Sequence, residues 1–204
     1  DRRADYLRAA SNLLIEDLKK MEAVFAQDGE ARKRLLADPQ AGLASMFTGL
    51  GSLSYGELAG ERTKLGLMLH DPEQEHDCFS DNTHNSQFYD AKGVRNVYLG
   101  EYTRVDGTKM TGASLSSLVA KSDPSADTAL KADLAATEAK MQIIVDHANK
   151  GEHYDQLIAA GNTAGNQIVR DAIASLVKQT GSIEAAAGKL GISDLNPDNA
   201  DHEF

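Results

Sequence analysis

The densest chemistry in the sequence lies in residues 73–86, which hold four carboxylates, two of the six histidines and the only cysteine. Carboxylate oxygens favour hard cations, whereas imidazole suits iron, copper and zinc. A set of both kinds therefore favours iron or another first-row transition metal. Glu75 and His76, together with Asp81 and His84, supply such a set. We predict Glu75, His76 and Asp81 as metal ligands.

The same segment also has the composition of a helix cap. Ser80, Asp81, Asn82 and Thr83 are all favoured at helix starts, because their side-chain oxygens can accept the free N–H groups of the first turn. A loop that enters a helix before Phe88 needs such groups. Capping and binding can coexist, since the start of a helix is also a place where anions bind. Both interpretations stay open for this loop.

The single cysteine also allows two interpretations. Cys78 could act as a nucleophile with His76 or His84 as its base. A lone cysteine next to an aromatic residue such as Phe79 is more often a small, buried apolar side chain. The sequence contains no GxSxG, P-loop or HExxH motif, so the common hydrolase and nucleotide-binding motifs are absent. No catalytic residue is assigned.

Three other histidines, His70, His147 and His153, have fewer features of a metal or catalytic site. His70 and Glu73 have a spacing that would put both on one face of a helix, but Pro72 between them is unfavourable inside a helix. His147 and His153 lie near a predicted helix end, where a histidine interacts favourably with the helix dipole. We predict that the last two are structural or solvated.

The composition limits the partners. The chain has 204 residues and a net charge of −10, from 21 Lys and Arg against 31 Asp and Glu. Its field repels phosphate backbones, so we expect no nucleic-acid partner and consider a metal ion or small ligand a better fit.

No run of apolar residues in the sequence approaches the roughly 20 that span a bilayer. The chain begins at Asp1 without an initiator methionine, which indicates processing from a longer protein.

Apolar residues recur at steps of three and four along most of the chain, which predicts long amphipathic helices. The first should stop at Asp28-Gly29, and the last long one near Thr180-Gly181, with a short helix after it. The predicted helical stretches are residues 6–25, 43–69, 88–102, 130–148 and 168–177.

One short segment has a strand pattern. Residues 102–110 alternate around Asp106-Gly107, a dipeptide typical of a β-hairpin turn. Four or five long helices with short connections predict an all-α, up-and-down bundle with at most a short β-hairpin. We expect one helical-bundle domain over residues 1–195 and a flexible tail over residues 196–204.

The segment from Glu61 to Tyr102, ERTKLGLMLHDPEQEHDCFSDNTHNSQFYDAKGVRNVYLGEY, closely resembles the imelysin-like family. This family includes the insulin-cleaving membrane protease and iron-regulated protein A. The core of the resemblance is Glu75-His76 followed by CFSDNTH, and the earlier segment YLRAASNLLIEDLKKM is similar to the family as well. The resemblance covers nearly the whole chain and corresponds to the C-terminal half of the family's usual length.

The resemblance implies an all-helical protein that is exported to the periplasm or the outer membrane surface and takes part in iron uptake. It also implies an N-terminal imelysin-like half as partner, whose GxHxxE motif binds metal near the interface between the halves. No GxHxxE stands in this sequence. Peripheral or lipid-anchored membrane association of the full protein is compatible with the resemblance. The predicted ligand or interface residues are Glu75, His76, Cys78, Ser80, Asp81, Asn82, Thr83 and His84.

Three functions remain open at this point. The leading one is a metal-binding protein of iron uptake whose site is shared with the N-terminal half. The second is a metallopeptidase of the imelysin type. Peptidase activity is suggested by the family name and is not expected of this chain alone, because catalysis needs a metal with an open position and a polarised water. The third is a non-catalytic helical interaction domain.

Overall fold

The computed structural model describes residues 1–193, 195 and 197. The predicted flexible tail, residues 196–204, lies outside the described residues apart from Pro197. Helices dominate the described residues, and their strands form a single hairpin. The predicted all-α fold with a short β-hairpin is confirmed.

The chain forms two compact units, Asp1–Ser45 and Met46–Phe204. The boundary between them falls within the predicted 1–195 domain, whose extent stays a prediction. The first unit contains α1 (Arg2–Phe25), α2 (Glu30–Ala37) and the first residues of α3 (Pro39–Ser52). Asp1 caps α1 by accepting the Arg3 N–H at 3.2 Å. The first predicted helix is confirmed.

The second unit begins inside α3. Its elements are a π-helix (Leu53–Lys64), α4 (Leu65–Leu69), two 3₁₀ turns (Pro72–Gln74 and Cys78–Ser80), α5 (Thr83–Leu99), β1 (Glu101–Thr103), β2 (Lys109–Thr111), α6 (Leu115–Ser122), α7 (Pro124–Ala148), α8 (Tyr154–Ile158) and α9 (Thr163–Gly188). α7 packs against α5 and α9, and α9 packs in turn against the π-helix. These helices form the bundle.

The core of this unit is apolar and lies where the long helices meet. Leu58 of the π-helix, Phe88 of α5, Met141 of α7 and Leu176 of α9 are buried in one cluster. Burying such a side chain stabilises the fold by about 2 kcal/mol. The buried stripe of α7 follows helical spacing, which is why the sequence pattern predicts this helix. Its buried apolar members are Leu130, Leu134, Met141, Ile144 and Ala148.

The segment Leu53–Lys64 has the hydrogen bonds of a π-helix, in which each N–H bonds the carbonyl five residues back. The Leu65 N–H, for example, donates to the Gly60 carbonyl. Such helices are rare, occur mostly as single turns and are frequent at functional sites. This one has 12 residues, so it is an unusual feature of the bundle.

Two buried side chains hold the last turn of the π-helix. Gln87 Nε2 of α5 donates to the Arg62 carbonyl at 2.8 Å, and Tyr154 Oη of α8 donates to the Thr63 carbonyl at 3.0 Å. Burial raises the pKa of Tyr154, so its hydroxyl stays protonated as a donor. The π-helix is therefore fixed to α5 and α8 beside the polar loop.

The predicted hairpin is present. β1 and β2 pair antiparallel, with Tyr102 opposite Met110. The turn residue Gly107 has φ 84°, in the left-handed region that glycine adopts without strain. Asp106 accepts the Thr108 N–H at 2.8 Å. The two residues that predict the hairpin, Asp106 and Gly107, are thus the residues that stabilise its turn.

The predicted end of the last long helix is wrong. α9 continues through Gly181 to Gly188 instead of ending near Thr180. A glycine inside a helix costs about 1 kcal/mol relative to alanine. Burial of Ile183, Ala186 and Ala187 on the far side of Gly181 outweighs that cost.

Candidate functional site

Two left-handed residues shape the loop between α4 and α5. His70 ends α4 and Asp81 ends the second 3₁₀ turn, each with φ 51°. Non-glycine residues adopt this conformation rarely, mostly in turns and at functional sites. His70 Nδ1 also donates to the Ile158 carbonyl at 2.6 Å. His70 thus attaches the loop to α8, while Glu73 is exposed.

Glu75 lies on the buried face of this loop. Its side chain is 8% exposed, and its Oε2 atom has no hydrogen-bond partner among the described residues. Burial raises the pKa of Glu75, a hydrogen bond from the Thr83 hydroxyl lowers it, and the carboxylates of Asp155 and Asp81 raise it further. The Thr83 oxygen also accepts the Asp77 N–H at 3.0 Å. Thr83 therefore links the carboxylate to the loop backbone.

Two histidines lie on the same buried face. His84 of α5 and His153, just before α8, meet edge to face with ring centroids 5.6 Å apart. His84 is 8% exposed, and its Nδ1 has no hydrogen-bond partner in the described part of the chain. Burial and the neighbouring His153 lower the pKa of His84. The His84 ring is therefore neutral near pH 7.

Asp81 lies next to these residues, with its side chain half exposed. Its Oδ2 lies 3.0 Å from His153 Nδ1, an ion-pair distance, although Nδ1 forms no hydrogen bond with a described residue. The same carboxylate raises the pKa of both Glu75 and His84. Glu75, Asp81, His84 and His153 thus form one electrostatically coupled group, which we call the inner cluster.

His76 faces a different neighbour. Arg62 Nη1 lies 2.8 Å from His76 Nδ1 and 2.6 Å from Nε2. Arg62 also pairs with Glu57 at 3.4 Å and Asp90 at 3.9 Å. Burial raises the pKa of Asp90, while Arg62 lowers it. An open polar cleft of about 520 Å³ lies here, lined by His76, Asn82, Asn85, Ser86, Tyr89 and Asp90.

The other predicted loop residues are exposed. Cys78 is exposed, and its neighbour Phe79 is 103% exposed, so the buried-cysteine interpretation is wrong. Ser80 Oγ donates to the Asp77 carbonyl at 3.3 Å. Asn82 is the residue before α5, but its side chain makes no capping hydrogen bond.

The Asn82 side chain has another role. Its Oδ1 accepts the Asn85 amide at 2.8 Å, and that amide nitrogen also lies 3.2 Å from His84 Nε2. Thr83 does not cap the helix with its side chain either, since its oxygen accepts the Asp77 N–H. Both residues stabilise the loop itself.

The structure brings some predicted site residues together and separates others. Glu75, Asp81 and His84 share the inner cluster, whereas His76 contacts Arg62. Within the described residues, no three His, Cys, Asp or Glu side chains are arranged to hold a metal ion. The assignment of Glu75, His76 and Asp81 as metal ligands stays a prediction. The described residues of this chain do not by themselves form a complete ligand set.

Three residues of the site are missed by the sequence patterns. His153 is predicted as structural or solvated, yet it contacts both Asp81 and His84. Arg62 and Asp90 lie in the segment that carries the family resemblance, but a lone Arg or Asp inside a helix has no distinguishing pattern. The contacts of Arg62 and His153 with the loop depend on how the helices pack, which spacing does not show.

Fold and site together define an all-α bundle protein that carries a partly buried carboxylate and imidazole cluster in an inter-helix loop. Residues 1–183 match the family model Peptidase_M75, described as Imelysin. The chain therefore belongs to the imelysin family, and the resemblance in residues 61–102 is confirmed.

No curated protein matches the chain. Among the described residues, no helix is both long and apolar enough to cross a membrane.

Proposed function

We propose that this chain is the metal-binding part of an exported imelysin-family protein that serves iron uptake. The proposal is carried by three buried polar atoms of the inner cluster that have no hydrogen-bond partner among the described residues: Glu75 Oε2, His84 Nδ1 and His153 Nδ1. Leaving such an atom unsatisfied costs about 1–3 kcal/mol, and native structures avoid it unless the group has a function. A cation bound in the inner cluster would give such atoms a partner.

The donor types favour iron or another first-row transition metal, because such ions accept carboxylate oxygen and imidazole nitrogen together. Glu75 and His84 would bind the ion, with Asp81 and His153 beside them. His84 must then carry its proton on Nε2 rather than Nδ1. The Asn85 amide next to Nε2 would accept that proton by turning its oxygen to the ring, with the Asn82 amide turning likewise to keep the bond between the two side chains.

The remaining ligands would come from a partner. The described residues supply no complete set of three ligands, so we assign the missing donors to the N-terminal imelysin-like half. The resemblance favours a place in the periplasm or at the outer membrane surface for this assembly. Peripheral or lipid-anchored association of the full protein is part of the same proposal.

Calorimetric titration with iron, copper and zinc tests the proposal, on the chain alone and with the N-terminal half present. Glu75→Gln and His84→Gln should weaken metal binding by about tenfold or more without lowering the melting temperature. The matched control is Glu73→Gln, because Glu73 is an exposed carboxylate of the same loop. It should bind like the parent.

The opposite pattern would overturn the proposal. If the Glu75 and His84 variants bound every metal like the parent but melted earlier, the inner cluster would be a structural feature. The third candidate, a helical interaction domain without a metal, would then be favoured.

A metallopeptidase is the second candidate, and one observation favours it. A carboxyl whose pKa is raised by burial, as that of Glu75 is, suits a general base, and a bound metal would polarise the attacking water. We expect no cleavage of peptides by this chain alone. Cleavage that a chelator abolishes and added metal restores would make the peptidase the leading function.

A further inference from the structure

A long groove lies between α5 and the β-hairpin, away from the inner cluster. Its volume is about 1030 Å³. Small-molecule pockets usually measure about 300–1,000 Å³ and enclose their ligand, so this open groove has the size for a longer, extended ligand. Five large apolar side chains line it: Tyr89, Val97, Tyr102, Val105 and Met110.

These apolar side chains are exposed to an unusual degree. Val105 at the hairpin turn is 103% exposed, Tyr89 62% and Tyr102 54%. Single exposed apolar residues are common, but a contiguous group of them marks an interaction surface. Tyrosine in particular is enriched where proteins bind one another, because its ring is apolar and its hydroxyl polar.

The shape of the groove is fixed by Gly100, which joins α5 to β1. Gly100 has φ 63°, and its carbonyl accepts the Gly112 N–H at 2.9 Å. A Cβ at this position would lie 2.7 Å from the Ala113 carbonyl oxygen. The hairpin is thus held closely against the end of α5, and the groove exists before anything binds to it.

The rim of the groove is positively charged, although the chain as a whole has a net charge of −10. Lys92, Arg104 and Lys109 lie around it, and none of them forms an ion pair with a described residue. Lys92 instead lies 5.6 Å from the centre of the Tyr89 ring. Glu101, an acidic residue that lines the groove, is paired with Arg95 at 3.7 Å, and the Asp106 carboxylate accepts the Thr108 N–H in the hairpin turn. The rim therefore has cations without an ion-pair partner among the described residues, next to apolar side chains.

We propose that this groove docks a peptide segment of a partner protein in which apolar side chains alternate with Asp or Glu. The apolar residues of such a segment would contact Tyr102 and Met110, and its carboxylates would pair with Lys92 and Arg104. A lipid surface fits less well, because the groove is concave and the whole chain would be repelled by anionic headgroups.

Two synthetic peptides of equal length test the proposal by fluorescence anisotropy. One alternates Phe and Leu with Glu, and the other has Lys at each Glu position. The Glu peptide should bind at least about tenfold more tightly, and its affinity should fall with salt. The double variant Lys92→Glu, Arg104→Glu should reverse this preference, while Lys150→Glu, an exposed lysine elsewhere, should not.

Tyr102→Ser tests the apolar part of the groove. It should weaken both peptides and leave metal titration of the inner cluster unchanged, so failure of one proposal does not imply failure of the other. Circular dichroism of each variant confirms that the helices are intact.

Several results would overturn the docking proposal. These are equal binding of the two peptides, binding of neither, and binding of the Glu peptide that the double variant retains. Sedimentation of the chain with anionic vesicles, lost in the double variant, would assign the groove to a lipid surface instead. A concentration-dependent dimer lost in Tyr102→Ser would assign it to a second copy of the chain.

Discussion

Two buried carboxylates in the same unit have opposite environments. Asp127 is 5% exposed, and its carboxylate has three hydrogen-bond partners. The hydroxyls of Tyr98 and Ser116 donate to it at 2.9 and 2.7 Å. The Lys131 ammonium donates to it at 2.7 Å. Glu75 is 8% exposed, and its Oε2 has no partner in the described part of the chain. Burial alone therefore does not distinguish the two residues.

The number of hydrogen-bond partners distinguishes the two carboxylates: Asp127 is a structural group, and Glu75 is a candidate ligand. Burial raises the pKa of Asp127, but the hydrogen bonds from Lys131 and Ser116 outweigh this effect and lower it. The pKa of Glu75 is raised, because burial outweighs the single bond from Thr83. A satisfied buried charge stabilises its fold, whereas an unsatisfied one costs free energy that a ligand can recover.

The largest effect is expected at the satisfied carboxylate. Asp127→Ala should lower the free energy of unfolding by about 3 kcal/mol, because it leaves the hydroxyls of Tyr98 and Ser116 without an acceptor. Chemical denaturation monitored by circular dichroism measures the loss. The matched control is Asp146→Ala on the same helix, which should cost far less. Equal losses would remove the contrast between the two carboxylates.

A smaller loss is expected where the loop backbone depends on a side chain. Thr83→Val should cost about 1 kcal/mol, since it removes both the acceptor of the Asp77 N–H and the donor to Glu75. It should also raise the pKa of Glu75 further. Thermal melts measure the first effect, and titration of the Glu75 carboxyl by nuclear magnetic resonance measures the second. An unchanged Glu75 pKa would show that the Thr83 bond is unimportant.

Glu75→Gln should have a pH-dependent effect of about 1 kcal/mol at most. The folded pKa of Glu75 is above its ordinary value of 4.5, so its charge destabilises the fold as pH rises through the folded pKa. The variant should therefore be more stable than the parent at pH 7 and equal to it below pH 4.5. Melts across this range test the sign, and a variant that is less stable at pH 7 would contradict it.

Asp127 should show the reverse dependence. Its folded pKa is below the ordinary 3.8, so its stabilisation is present above that value and is lost as pH falls through the folded pKa. The two carboxylates thus give opposite slopes in one titration.

The smallest effect is expected for Asn82→Ala. An N-cap residue replaced by alanine usually costs about 0.5–2 kcal/mol, but the Asn82 side chain makes no capping bond. We expect less than about 0.5 kcal/mol, with Ser114→Ala as the positive control, because Ser114 accepts the Ser117 N–H at 3.0 Å. A loss as large as that of Ser114→Ala would show that Asn82 caps α5.

The sequence predicts the fold well where one local pattern decides the outcome. Helical spacing locates α1 and α7, and Asp106-Gly107 locates the hairpin, because these elements follow from nearby residues. The continuation of α9 through Gly181 is not predictable in this way. It depends on the burial of Ile183 against other helices, which outweighs the local signal.

The candidate site is predictable from the sequence only where it depends on residues that are close together in the chain. The loop is found from its density of polar residues, and Glu75 and His84 are among the residues named. The separation of His76 from Glu75 depends on Arg62 of the π-helix, and the role of His153 depends on how α8 packs. Those contacts join residues far apart in sequence, so spacing carries no information about them.

The π-helix restricts where insertions and deletions can occur in the chain. The carbonyls of Arg62 and Thr63 accept from Gln87 and Tyr154 in the orientation that the i→i+5 bonds give this helix. Deleting one residue between positions 53 and 61 would restore an ordinary helix and rotate both carbonyls away from these donors. Insertions and deletions should therefore be excluded from this segment and tolerated at the exposed hairpin turn around Gly107.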